Sequence, residues 1–267
     1  MAPDTHAVVE EEVLLRDVRE GICTLTLNRP KKRNPLSTQM LGALQDALND
    51  IAEDKSIKVA ILAGNGPVFS AGHDLKEMHA NTNYDFIHKL FLQCSQVMLS
   101  VTRLPQPVIA KVHGVATAAG CQLVASCDLA IASEDARFGT PGVTNGLFCS
   151  TPAVAVGRAI SSKHAMEMLL MGELFSAGDA YRFGLINKVV LRDELDATVM
   201  EYAESIASRS TLTMSMGKNA FYRQLDMELE DAYYYASDVM AQNMMEHDAQ
   251  EGIDAFLQKR HPEWKGR

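Results

Sequence analysis

The spacing of apolar residues changes period several times along the chain. Residues 8–18 and 22–28 alternate between apolar and polar around Arg19-Glu20-Gly21, which predicts a β-hairpin. A polar, proline-containing loop follows at 28–37. Beyond it Met40, Leu41, Leu44, Leu48 and Ile51 recur at helical spacing behind Ser37, a residue type that caps helix starts. Residues 58–63 form an apolar run of the kind found in strands covered on both faces. Residues 79–84 are polar and patternless, and read as a mobile loop. Residues 86–104 are amphipathic with helical period, and Pro105 and Pro107 end that helix.

Apolar β runs at 108–112 and 128–132 bracket a stretch of small residues, Gly114, Ala116, Ala118, Ala119 and Gly120, that becomes a short apolar helix through Leu123 and Val124. A Gly/Pro-rich loop covers 138–152. Helices are predicted over 152–159, 163–171 and 176–183, a last β run over 186–191, and helices over 194–209, 212–224, 229–247 and 250–259. Strands and helices alternate to about residue 191, and helices alone follow. The fold class is α/β, divided into a core at 1–191 and a helical region at 192–267. Residues 1–7 are expected to be disordered.

Composition narrows the function. The 267 residues are 47% hydrophobic and 22% charged, enough for a sizeable folded core. A net charge of −9 disfavours nucleic acid as the main partner. No apolar run approaches a membrane span. The acidic start resembles neither a secretory signal nor an Arg-rich transit peptide, so the expected compartment is the cytoplasm, with the mitochondrial matrix as the alternative for a processed eukaryotic protein. Five cysteines, Cys23, Cys94, Cys121, Cys127 and Cys149, read as buried thiols, and no CxxC pair or histidine cluster suggests a metal.

Two places join a strand to a helix through glycine and small residues. One is 64–78, GNGPVFSAGHDLKEM, where Asp74 and Glu77 fit a capping box. The other is 111–128, KVHGVATAAGCQLVASCD. Helix starts leave N–H groups unpaired, and small residues let a ligand approach them, which suits an anion or a developing oxyanion; tight helix–sheet packing explains the same residues equally well. Arg29, Lys31, Lys32 and Arg33 are either a solvated basic loop or partners for phosphate.

The runs FSAGHDLKEM (69–78), GVATAAGCQLVASCD (114–128), FGTPGV (138–143), SAGDAYRFGLINKVV (176–190) and EGIDAFLQKRHPEW (251–264) resemble the crotonase, or enoyl-CoA hydratase/isomerase, superfamily over almost the whole chain. The resemblance implies a spiral of β-β-α turns with a C-terminal helical trimerisation region, assembled as a homotrimer or hexamer. It implies an acyl-CoA thioester as ligand, with coenzyme A as part of the substrate and no bound cofactor. The thioester oxygen would sit between the backbone N–H groups of His73 and Ala119. CoA contacts would fall on Lys32, Arg33, Ala71, Lys76 and Gly120, and on Phe256 and Lys259 reaching across a subunit interface.

Hydratases of this superfamily use two glutamates, and the matching positions here are Gln122 and Gly142. An amide exchanges no proton near neutral pH and glycine has no side chain, so ordinary two-glutamate hydration is not expected. The resemblance places the chain in fatty acyl-CoA metabolism as a hydratase-like protein. The alternatives are another reaction of the same enolate (decarboxylation, isomerisation or thioester hydrolysis) and an acyl-CoA-binding protein without catalysis. Glutamates restored at both positions are expected to raise hydration of a short enoyl-CoA. The His73 imidazole either lines the acyl pocket or packs beside the helix start, the latter being favoured. Cys149 is expected to be a buried thiol, His113 and Asp128 structural, and Asp74 a helix cap.

Overall fold

A computed structural model describes residues 12–267. The segment expected to be disordered, 1–7, lies outside them, as does the start of the first predicted strand. The hairpin is formed by β1 (Leu14–Arg19) and β2 (Ile22–Leu27), paired antiparallel. Helix α1 (Thr38–Glu53) starts at Ser37, whose Oγ accepts the Met40 N–H. Its five apolar positions are all buried, as their spacing requires.

Three β-β-α turns then follow. The first comprises β3 (Val59–Gly64), β4 (Val68–Ser70), α2 (Leu75–Ala80) and α3 (Tyr84–Arg103). The second comprises β5 (Val108–Val112), β6 (Val115–Thr117) and α4 (Ala119–Ser126). The third runs through β7 (Leu129–Ser133), β8 (Arg137–Gly139), a 3-10 turn at Pro141–Asn145 and α5 (Ser150–Ala159). After α6 (Ser162–Met171), β9 (Phe175–Ser176), α7 (Ala177–Phe183) and β10 (Lys188–Val190), the helices α8 (Leu195–Ala207), α9 (Thr211–Gln224), α10 (Leu229–Met245) and α11 (His247–Gln258) complete the chain.

The longer strand of each turn enters one sheet and the shorter strand a second. The large sheet has the order β1-β2-β3-β5-β7-β10 and is parallel after its hairpin; the small one has the order β4-β6-β8-β9. The fold is thus α/β, with the spiral that the resemblance implied. Side chains of α1, α3 and α4 fill the main core beside both sheets, including fully buried Phe69 and Phe138 from the small sheet. On the other face of the large sheet, Leu195, Val199, Ala203 and Ala207 of α8 cover Ile22, Val59, Ile61, Ile109 and Ile131.

Two local expectations change. The polar stretch 79–84 is mostly helical: His79 and Ala80 end α2, Tyr84 begins α3, and only 81–83 link them. Asn83 accepts the Phe86 N–H and starts α3 two residues earlier than the apolar pattern suggests. The predicted loop at 138–152 contains the end of β8, a 3-10 turn and the start of α5.

Candidate functional site

Two turns meet at the end of the small sheet. One leaves β4 through Ala71 and Gly72 and enters α2; the other leaves β6 and enters α4. Gly72 has a φ of +87°, and a Cβ on it would lie 2.9 Å from the Cβ of Ala118, 3.0 Å from the Thr117 carbonyl oxygen and 3.2 Å from the Ala119 nitrogen. Only a residue without a side chain allows this backbone contact. It sets the amide of His73, the next residue, beside the start of α4. Among the described residues, no acceptor takes the N–H of His73 or of Ala119, although Ala119 is fully buried. Buried backbone donors without partners are rare, and the Ala119 amide is one of them.

Ala118 bears strain at this junction, with φ 49° and ψ −119°, a conformation that suits glycine. Ala118→Gly is expected to raise stability by about 1 kcal/mol, the relief exceeding the added unfolded-state entropy. Urea unfolding measures this, and a lower midpoint would contradict it.

The basic loop is held against the first turn. The Ala71 N–H donates to the Arg33 carbonyl (3.0 Å) and the Leu36 N–H to the Gly72 carbonyl (2.8 Å). Lys32, Arg33, Ala71 and Lys76 are exposed along this edge. The organising residue is one that the sequence reasoning missed, Asn34. It is buried, its Oδ1 accepts the Arg29 N–H (2.8 Å), and its Nδ2 donates to the carbonyls of Asn65, Val68 and Phe69. The Asn34-Pro35 pair, a turn signal inside a basic loop, was the available clue. Asp74 caps α2 through the N–H groups of Lys76 and Glu77. The reciprocal half of the capping box is missing, because the Glu77 carboxylate instead accepts the N–H and hydroxyl of Thr38 at the start of α1.

Gln122 follows Ala119 by one helical turn. It is 3% exposed, its Oε1 is buried without a partner, and its amide nitrogen donates to no acceptor among the described residues. His73 packs edge-on against Phe91 with ring centroids 5.2 Å apart, and its Nε2 is also buried and unpaired. Burial brings the imidazole pKa down to about 4, the Glu77 carboxylate opposing only in part, so the ring is neutral near pH 7. Gly120 is buried against Ser70 of β4.

Gly142 lies in the 3-10 turn, and a Cβ there would run into the Leu147 carbonyl oxygen and lie 2.7 Å from Cys149 Sγ. The loop has folded into the space that a side chain would need, a fact invisible in the sequence. This revises the expectation for restored glutamates. Gln122→Glu is nearly isosteric, whereas Gly142→Glu is expected to destabilise the fold by about 1–3 kcal/mol through overpacking. The double variant gains hydration only if residues 143–149 move; a gain over Gln122→Glu with an unchanged urea midpoint would refute this. Burial raises the Cys149 thiol pKa, and at Cys121 it reaches about 12, so neither is an activated nucleophile.

The enoyl-CoA hydratase/isomerase family model matches residues 17–267. The chain belongs to that family. It is 49% identical over 257 residues to the enoyl-CoA hydratase domain-containing protein 3, mitochondrial, of Mus musculus, covering 96% of this chain and 86% of that protein. An enoyl-CoA hydratase crystal structure from Mycobacterium smegmatis superposes with a TM-score of 0.94 at 51% identity, over 95% of this chain and 99% of that one. The human enoyl-coenzyme A hydratase domain-containing protein 3 superposes with a TM-score of 0.93 at 49% identity, over 95% and 100%. In this enoyl-CoA hydratase/isomerase family member, Phe256 and Lys259 lie at the end of α11, and Phe256 is 82% exposed. Helix α11 packs on α9 and α10.

Proposed function

We propose that the chain is an enoyl-CoA hydratase-like protein that binds an acyl-CoA thioester and polarises its carbonyl between the N–H groups of His73 and Ala119. The interlocked turns at Gly72 and Ala118, with two amides lacking acceptors, carry this reading. Preorganised donors of this kind are worth about 10²–10³-fold to a reaction that develops an oxyanion. Lys32, Arg33 and Lys76 are the cations available to the CoA phosphates on the adjoining edge. Phe256 and Lys259 would reach CoA from a neighbouring copy in a homotrimer or hexamer. The exposed Phe221, Leu225, Leu229, Tyr233 and Met240 on α9 and α10 and the linkers beside them support such an assembly. The mitochondrial names of the eukaryotic relatives favour the matrix over the cytoplasm.

Gln122 and Gly142 stand where the family resemblance sets the hydratase glutamates, and His73 is too weak a base to replace them near pH 7. Hydration is therefore not the expected activity. Decarboxylation, which starts without a general base, and other outcomes of the same enolate are the enzymatic alternatives. The crowding around Gly142 and the neutral His73 favour a second reading, acyl-CoA binding with little or no turnover.

A panel of CoA thioesters, followed by calorimetry for binding and mass spectrometry for products, tests both. Binding with a product establishes the enzyme and binding without one the carrier. No binding across the panel sinks the acyl-CoA reading.

A further inference from the structure

A second concavity shares no residue with the turns at Gly72 and Ala118. It is a cleft of about 750 Å³ bordered by β10, the 3-10 turn Arg192–Glu194 and the first two turns of α8. Strand β10 is an edge of the large sheet, and Leu195, Val199 and Ala203 hold α8 on one face of that sheet. The cleft therefore lies between the last strand and the helix that follows it.

Four carboxylates line it, Glu134, Asp193, Glu194 and Glu201, against one ammonium, that of Lys188. The adjacent Asp135 and Asp196 are paired with Arg192 and Lys111, but none of the four lining carboxylates has an ion-pair partner among the described residues. The Lys188 ammonium stands over the Tyr202 ring, 5.8 Å from its centre. Glu194 is partly engaged, since it accepts the Leu191 N–H at 3.4 Å.

An independent feature lies beneath these acids. Thr198 is only 9% exposed, borders the cleft, and has no hydrogen-bond partner for its hydroxyl among the described residues. A helical threonine commonly donates to the carbonyl four residues back, as Thr102 does to Met98 at 3.1 Å; Thr198 does not. A buried hydroxyl left out of that bond has its partner still to come, from the cleft that it faces.

The lining defines the partner. Among the described residues, no three His, Cys, Asp or Glu side chains come together closely enough to hold a metal ion, so the carboxylates match separated positive charges rather than one compact ion. Val189, Val190 and Ala197 add apolar surface. An aliphatic polyamine has the same make-up, ammonium groups spaced by short methylene runs, and its N–H groups donate to carboxylate and hydroxyl oxygens alike. The volume is within the usual span of about 300–1,000 Å³ for small-molecule sites.

We infer that the cleft between β10 and α8 binds an aliphatic polyamine, with its ammonium groups on Glu134, Asp193 and Glu201 and one N–H on the Thr198 hydroxyl. The site is separate from the candidate thioester site, and neither reading depends on the other.

Isothermal titration of the full chain with spermidine at about 50 mM NaCl tests the inference. Saturable binding with a Kd of about 0.1–1 mM is expected. Glu134→Gln with Glu201→Gln is expected to weaken it about fivefold, the worth of exposed charge pairs. Thr198→Val, nearly isosteric, is expected to weaken it about tenfold, the worth of a hydrogen bond to a charged group. Glu53→Gln with Glu167→Gln makes the same charge change outside the cleft and is expected to cost less than about twofold. Equal weakening by the two charge pairs would be diffuse attraction to a chain of net charge −9 and overturns the inference. An unchanged affinity in folded Thr198→Val also overturns it, as does displacement of spermidine by an equal concentration of magnesium, which would mark a site for a compact dication. Absence of saturable binding up to about 10 mM overturns it outright. Should Thr198→Val fail to fold, the comparison of the two charge pairs decides.

Discussion

Lys218→Met is expected to destabilise the protein by about 3–5 kcal/mol, the usual cost of removing one partner from a buried ion pair. Lys218 Nζ lies 2.7 Å from Asp128 Oδ2, with side-chain exposures of 7% and 17%. It also donates to the carbonyls of Val101 and Gln106. Asp128 in turn accepts the Val108 N–H at 2.6 Å and the Tyr222 hydroxyl at 2.9 Å. One carboxylate thus joins three places: the link between α4 and β7, the start of β5 and helix α9. Burial depresses the Lys218 pKa even against the Asp128 charge, which marks the desolvation that the pair must overcome. Without the lysine, the Asp128 carboxylate loses its ion-pair partner. Asp128→Asn alone is expected to be comparably damaging, and the double variant to recover part of the loss. Urea unfolding at fixed protomer concentration measures all three. A loss below about 1 kcal/mol for Lys218→Met would mean that the pair is effectively solvated. Since α4 carries the Ala119 amide at its other end, the same variant is expected to weaken thioester binding.

How far the sequence anticipates this arrangement depends on the range of each interaction. Helix α1 and strand β3 are legible because one face, or both, must be apolar, and each relevant side chain is indeed buried. The strands of the small sheet are three residues or fewer, too short for any period to register; only the family resemblance implied them. The two turns of the candidate site were legible from their small residues. Their contact was not, because Gly72 and Ala118 are 46 positions apart. Glu77 shows the limit of a local rule: its spacing from Asp74 fits a capping box, but the Thr38 N–H and hydroxyl, 39 residues away, take the carboxylate. At Gly142 the sequence reveals a missing side chain and conceals that Leu147 and Cys149 have closed over the space. The Lys218–Asp128 pair, 90 positions apart, has no sequence signature at all.

The His73 ring makes the candidate site itself a determinant of acid stability. Its pKa is held near 4 in the folded chain, against 6.5 for an unperturbed histidine, and burial is the main cause. Between these values the unfolded chain binds a proton that the folded chain does not. Stability is therefore full above about pH 6.5, falls as pH drops toward 4, and loses no more through this group below that. The whole window corresponds to up to about 3 kcal/mol, most of it gone by about pH 4.5. Other groups titrate there too, including His113, whose pKa burial also lowers, so the informative quantity is a difference between proteins. His73→Gln keeps a neutral polar side chain and removes the titration. Comparing its urea stability with that of the wild type at pH 7 and about pH 4.5 is expected to show the wild type losing about 2 kcal/mol more over that interval. Parallel losses in the two proteins would show that water reaches Nε2 and the ring protonates in place. The unpaired Nε2 would then be solvated, while the backbone N–H of the same residue would be untouched.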